Sequence, residues 1–156
     1  MNDFSDWHWA TVIVRTNYNA KTKVAAWGMY VNGEWSGKHQ YAAVFKGRYE
    51  QGSDTLLEFQ AIVNALLIMH KDFKEVNCLR ITTSSQGAAN MIDSNVCYVG
   101  CDKPFGVYKN MMLKFRCIKI VPVTTDTQKY LSNKIEKVAR EVRQNHEQEF
   151  QTNKNL

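Results

Sequence analysis

Three strand-like stretches stand in a row at the start of this chain, with no helical pattern between them. They are Ala10–Tyr18 (ATVIVRTNY), Val24–Val31 and His39–Phe45. Their branched and aromatic residues suit a pleated, half-buried surface. Asn19–Thr22 reads as a turn, and Asn32-Gly33 as a hairpin signal, because both of its residues tolerate positive φ. The three strands therefore form an antiparallel meander. Behind them, helix and strand patterns alternate. A helix is predicted over Thr55–Lys71, a strand over Asn77–Thr83, and a second helix from Ser84, as its N-cap, to about Ser94. A short helix over Phe105–Lys114 and a strand over Phe115–Val123 follow. The last helix runs from about Gln128 to Asn145, with Leu131, Ile135, Val138 and Val142 on one stripe. Strand–helix–strand crossovers lay strands parallel. The order β-β-β-α-β-α-α-β-α thus predicts an α/β fold: a five-stranded mixed sheet, three strands antiparallel and two parallel, flanked by helices.

A chain of 156 residues can bury one core. The domain is expected over 10–145, with 1–9 as an N-terminal extension carrying Trp7 and Trp9 and 146–156 as a flexible C-terminal tail. No apolar run approaches the roughly 18 residues of a spanning helix, so no membrane partner is expected. The opening MNDFSDWHWA is acidic and aromatic, unlike a secretory signal. A cytoplasmic location with reduced cysteines follows as the expectation. Cys97 and Cys101 are spaced C-x3-C, and no C-x2-C or nearby His pair completes a zinc pattern. Cys78 and Cys117 lie in apolar strand runs, so all four read as structural thiols. The net charge of +5 permits contact with phosphates without requiring it.

One residue of the first helix is oddly placed. On a 3.6-residue wheel Gln60, Asn64 and Lys71 fall together, and Ile62, Ala65, Leu66 and Met69 lie opposite. Glu58 sits with the apolar set. A carboxylate aimed inward must be paired, hydrogen-bonded or bound to a metal. On the helix alone the simpler reading is a capping box, since Thr55-Leu-Leu-Glu58 has the required spacing.

The rest of the chain supplies another reading. The element order resembles that of ribonuclease H, and so do four short segments: Thr16-Asn17-Tyr18-Asn19 at the end of the first strand, Glu58–Leu66 in the first helix, Thr83-Ser84-Ser85-Gln86 after the fourth strand, and Ser132–Ala139 in the last helix. The resemblance covers about residues 10 to 142. It implies a pocket in which four carboxylates hold two divalent metals. Carried over residue by residue, those positions read Asn17, Glu58, Ser84 and Glu136, two acids and two neutral side chains. The position of the family's flexible-loop His falls at about Thr124.

Two-metal phosphodiester cleavage needs cations roughly 3.5–4 Å apart, whose repulsion the ligand charges offset. Glu58 and Glu136 alone would leave such a pair strongly positive. The expectation is one weakly held Mg²⁺ or Mn²⁺ at most, on Glu58 and Glu136, in a vestigial catalytic site shared with Asn17 and Ser84. The resemblance then implies a catalytically inactive or impaired domain that binds nucleic acid, an RNA–DNA hybrid or other duplex. Candidate substrate contacts are Asn19, Ser85, Gln86, Lys109 and Lys114, with Lys21, Lys23, Lys46 and Arg48 as further surface cations. Two alternatives stay open: an active hybrid endonuclease with an atypical ligand set that includes Asp126, and a protein-interaction or assembly module, as connection-type domains of this fold are.

Overall fold

The meander forms as expected and runs slightly longer than its sequence signals. In the computed structural model, which describes residues 6–46, 49 and 53–154 with side chains as far as Glu149, β1 is Trp9–Asn19, β2 is Val24–Gly33 and β3 is Gly37–Val44. Then come α1 (Asp54–Asp72), β4 (Cys78–Thr83), α2 (Gln86–Ser94), α3 (Asp102–Met112), β5 (Cys117–Ile120) and α4 (Asp126–Lys154). The sheet order is β3-β2-β1-β4-β5. β1 pairs antiparallel with β2, β2 with β3, while β1–β4 and β4–β5 are parallel. The expected mixed sheet is therefore present, with the crossover helices placed by its two parallel pairs.

The hairpin signal was read one step too early. Asn32 and Gly33 stay in β2, paired with Lys38 and Gly37. The turn is Glu34–Ser36, and Gly37 takes the positive φ of 73°. Gly33 has a different task. A Cβ there would lie 2.7 Å from the Trp9 carbonyl oxygen and 3.0 Å from the Ala10 Cα. Both are backbone atoms of the neighbouring strand, which cannot swing aside. Gly33→Ala should therefore cost about 1–3 kcal/mol, read as a lowered urea midpoint with an unchanged slope.

α1 packs on one face of β1 and β2, against α2 and α3. Leu57, Phe59, Ile62, Leu66 and Met69 are fully buried there, each worth roughly 1.5–3 kcal/mol of transfer free energy. The start of α1 differs from the capping-box reading. Its N-cap is Ser53, whose Oγ accepts from Leu56 N, and the helix begins before Thr55. Glu58 thus lies too far into the helix to reach back. α2 is likewise capped by Ser85, not Ser84, with Ala88 N donating to Ser85 Oγ at 3.1 Å. A capping box does form at α4: Gln128 N donates to Thr125 Oγ1 and Thr125 N to Gln128 Oε1, both at 3.1 Å.

α4 crosses the opposite face, over β1, β2 and β3. Gly28 lets it approach closely: a Cβ there would meet Ile135 Cγ2 at 3.0 Å. The buried stripe of α4 is Ser132, Ile135, Ala139 and Arg143, whereas Leu131, Val138 and Val142 are only half-buried. The contact face is rotated from the one drawn through the branched residues. α4 also continues through most of the expected tail, to Lys154, because Glu147 is tied to the β1–β2 turn. At the other end the expected extension joins the sheet. Trp9 begins β1, Asn77 Nδ2 donates to Asp6 O, and the Arg80 guanidinium lies 4.1 Å from the Trp9 ring centre.

All four cysteines are free thiols. Burial pushes the Cys78 and Cys101 thiols up from their ordinary range, with Cys117 adding to the first and Cys97 and Asp102 to the second. That keeps them protonated at neutral pH, as structural thiols are. Among the described residues no helix is long and apolar enough to cross a membrane.

Candidate nucleic-acid interface

The four positions singled out by sequence lie at the carboxyl ends of β1 and β4 and on the helices that flank them. They form two hydrogen-bonded pairs. In the first, Ser84 donates to Glu58 Oε1 twice, from its hydroxyl at 2.8 Å and its backbone N at 3.0 Å. Thr83 Oγ1 donates to the same oxygen at 3.1 Å, and Thr16 Oγ1 donates to Oε2 at 2.8 Å. Glu58 is only 2% exposed. Its carboxylate is held by four neutral donors of this chain, which meets the demand a buried charge makes. The close approach of α2 to α1 depends on Gly87, where a Cβ would lie 2.3 Å from Thr55 Oγ1.

The second pair is Asn17 and Glu136, with Asn17 Nδ2 donating to Glu136 Oε1 at 2.8 Å. Successive strand residues face opposite sides of a sheet. Thr16 therefore turns to α1 and Asn17 to α4, so one dipeptide of β1 serves both pairs. A residue not singled out by sequence joins this half. Arg143 Nε donates to Asn17 Oδ1 and Arg143 Nη1 to Glu147 Oε1, each at 2.5 Å. Asn19 Nδ2 donates to Glu147 Oε2 at 2.8 Å, and Thr22 Oγ1 donates to the same oxygen. Arg140 stands 3.9 Å from Glu136, half-exposed. Arg143 also forms an ion pair with Glu147. Its place on the buried stripe with Ile135 and Ala139 was the signal that could have revealed it.

A cleft of about 620 Å³ opens beside the first pair, lined among others by Ser84, Ser85, Gln86, Lys129, Ser132 and Asn133. Arg15 lies behind Ser132, donating from Nη1 to its Oγ at 2.9 Å; its Nε is buried without a partner among the described residues. Ser85 and Gln86 line the cleft, whereas Asn19 is engaged with Glu147. Lys109 and Lys114 are exposed and line no part of the cleft; Lys109 sits 5.7 Å from the Phe105 ring centre. Arg48 lies outside the described residues. Asp126 is exposed in the first turn of α4, about 15 Å along the helix from Glu136. Thr124 is held to Gln128 at the head of α4.

This donor set does not fit two divalent ions. Two carboxylates supply two negative charges, and the guanidinium of Arg140 stands 3.9 Å from one of them, Glu136. Unit charges about 4 Å apart interact by about 4 kcal/mol near a protein surface, and a divalent ion beside a guanidinium would be repelled about twice as strongly. Among the described residues no three His, Cys, Asp or Glu side chains gather as metal ligands.

The sheet order, the helix placement and the position of this cleft define a ribonuclease H-like fold. Three solved structures share it. RNase H1 from the halophilic archaeon Halobacterium salinarum NRC-1 superposes with a TM-score of 0.66 at 12% identity, covering 86% of this chain and 96% of its own. The N-terminal RNase H domain of rv2228c from Mycobacterium tuberculosis gives 0.69 at 12% identity, with 89% and 98% covered. LC11-RNase H1, isolated from compost and solved in complex with an RNA/DNA hybrid, gives 0.63 at 14% identity, with 83% and 95% covered. No family model and no curated protein matches the sequence. At 12–14% identity the likeness establishes the fold.

Proposed function

We propose that this domain binds a nucleic-acid duplex, with an RNA–DNA hybrid as first choice, and does not cleave it. The observation that carries the reading is the state of Glu58. Within a ribonuclease H-like frame, its carboxylate is engaged by Thr16, Thr83 and Ser84. The chemistry that would need a metal has lost its ligands, while the frame for a duplex remains. The cleft offers hydrogen-bonding side chains to a duplex backbone: Ser84, Ser85, Gln86 and Asn133 line it beside one cation, Lys129, and one anion, Asp93, and Arg15 behind it has no carboxylate partner among the described residues. LC11-RNase H1, which shares the fold, was captured with a hybrid. This binding needs no metal ion, and we place the protein inside the cell, where such duplexes form.

Anisotropy titrations of labelled hybrid over a range of salt concentrations test this. With about three to six phosphate contacts, log K should fall against log salt with a slope of roughly −3 to −5. Removing Mg²⁺ with a chelator should not weaken binding, since no metal bridges the contact. A slope near zero would favour the assembly-module reading, and prompt cutting of the hybrid in Mn²⁺ would favour the endonuclease.

A further inference from the structure

We propose that Arg143 is the resident cation of the Asn17–Glu136 half of the site, and that it keeps divalent ions out of it. Arg143 is 9% exposed, an unusual depth for a charged side chain, and a buried charge persists only when it is paired and hydrogen-bonded. Both conditions are met, by Asn17 Oδ1 and Glu147 Oε1. The amide of Asn17 is the coupling piece. A guanidinium has no acceptor and an ionised carboxylate has no donor. Asn17 can therefore join them only with its oxygen toward Arg143 and its nitrogen toward Glu136, which is the arrangement found. An Asp at this position could not donate to Glu136 and would set two carboxylates face to face.

The neutral residue on β1 and the cation on α4 are thus one device. Glu136 and Glu147 supply two negative charges, and Arg143 and Arg140 supply two positive ones. The charges cancel, and Arg143 occupies the oxygens of Asn17 and Glu147 that a metal ion would need. This deepens the non-cleaving reading above, but it is tested with metal alone, so its failure would leave duplex binding standing.

The experiment is calorimetric titration of Mn²⁺ into the intact protein, Asn17→Asp, Arg143→Lys, and the double variant Asn17→Asp/Arg143→Gln, with circular dichroism confirming each fold. The intact protein and Arg143→Lys should take up no measurable Mn²⁺. Asn17→Asp should take up none either, because the new carboxylate pairs with Arg143. The double variant should bind Mn²⁺ at least about tenfold more tightly than Asn17→Asp, a difference of about 1.4 kcal/mol. Asn17→Asp is nearly isosteric and answers the question even if the double variant misfolds. Measurable Mn²⁺ binding by Asn17→Asp with Arg143 in place would overturn the proposal, as would equal affinity in the two variants or uptake by the intact protein.

Discussion

Glu58→Gln should lower stability by about 2–4 kcal/mol while leaving duplex affinity of the folded protein almost unchanged. The estimate follows from the four donors. Hydrogen bonds to a charged group contribute about 1.5–3 kcal/mol, and a buried group left unsatisfied costs about 1–3 kcal/mol. Glutamine keeps the shape but turns one acceptor into a donor. That new N–H₂ must face either Thr16 or the three donors from Thr83 and Ser84. For a domain of this size the loss corresponds to a melting temperature lower by roughly 5–15 °C. Calorimetric melting measures the stability term, and anisotropy with labelled hybrid, below the transition, measures the other. A tenfold weaker complex with a native melting curve would mean that Glu58 reaches the nucleic acid through a bridging ion.

Ser84→Asp is expected to act nearly as strongly, for the opposite reason. The hydroxyl it removes is 2.8 Å from Glu58, so a new carboxylate at this exposed position meets the buried one at the wall of the cleft. Like charges this close share a proton instead of both ionising, which raises the carboxyl pKa of the pair in the folded state above its unfolded value. The sign follows from linkage: the folded form binds more protons, so its stability rises as pH falls through the carboxylate range. At neutral pH the variant should be about 1–3 kcal/mol less stable than the parent, the cost of taking a donor from buried Glu58. The deficit should shrink below about pH 5. Mn²⁺ should raise the melting temperature of the variant and leave the parent unmoved, because two facing carboxylates form a one-ion site that Ser84 denies. A variant as stable at pH 7 as at pH 4.5, with no response to Mn²⁺, would show that position 84 does not face Glu58.

The sheet was readable from the chain because its evidence is local and repeated. Branched runs mark each strand, and the helix wheel of α1 places Glu58 among Ile62, Leu66 and Met69, where the structure finds it. The errors arose where one short pattern permits two geometries. Thr-x-x-Glu at 55–58 and Thr-x-x-Gln at 125–128 have the same spacing. Only the second begins at a helix start, because Ser53 had already capped α1. Asn32-Gly33 looks like a tight turn, yet Gly33 is needed for close contact with β1 at Trp9 and Ala10. The branched residues of α4 point to a face beside the one that is buried, and Arg143 lies on the buried one. Ile135, Ala139 and Arg143 share a spacing of four, and the reasoning that placed Glu58 inward would have placed Arg143 there too. What no local reading supplies is that Asn17 would find its partners more than a hundred positions away.

That separation divides the history of the pocket. Everything that holds Glu58 lies between Thr16 and Ser84 and is present once the chain has emerged as far as Ser84. Asn17 must wait for α4, which is made later and carries Glu136 and Arg143. Peeling that helix away would strip Asn17 of its neighbours and spare Glu58. Amide protons around the two acids should accordingly exchange on separate clocks.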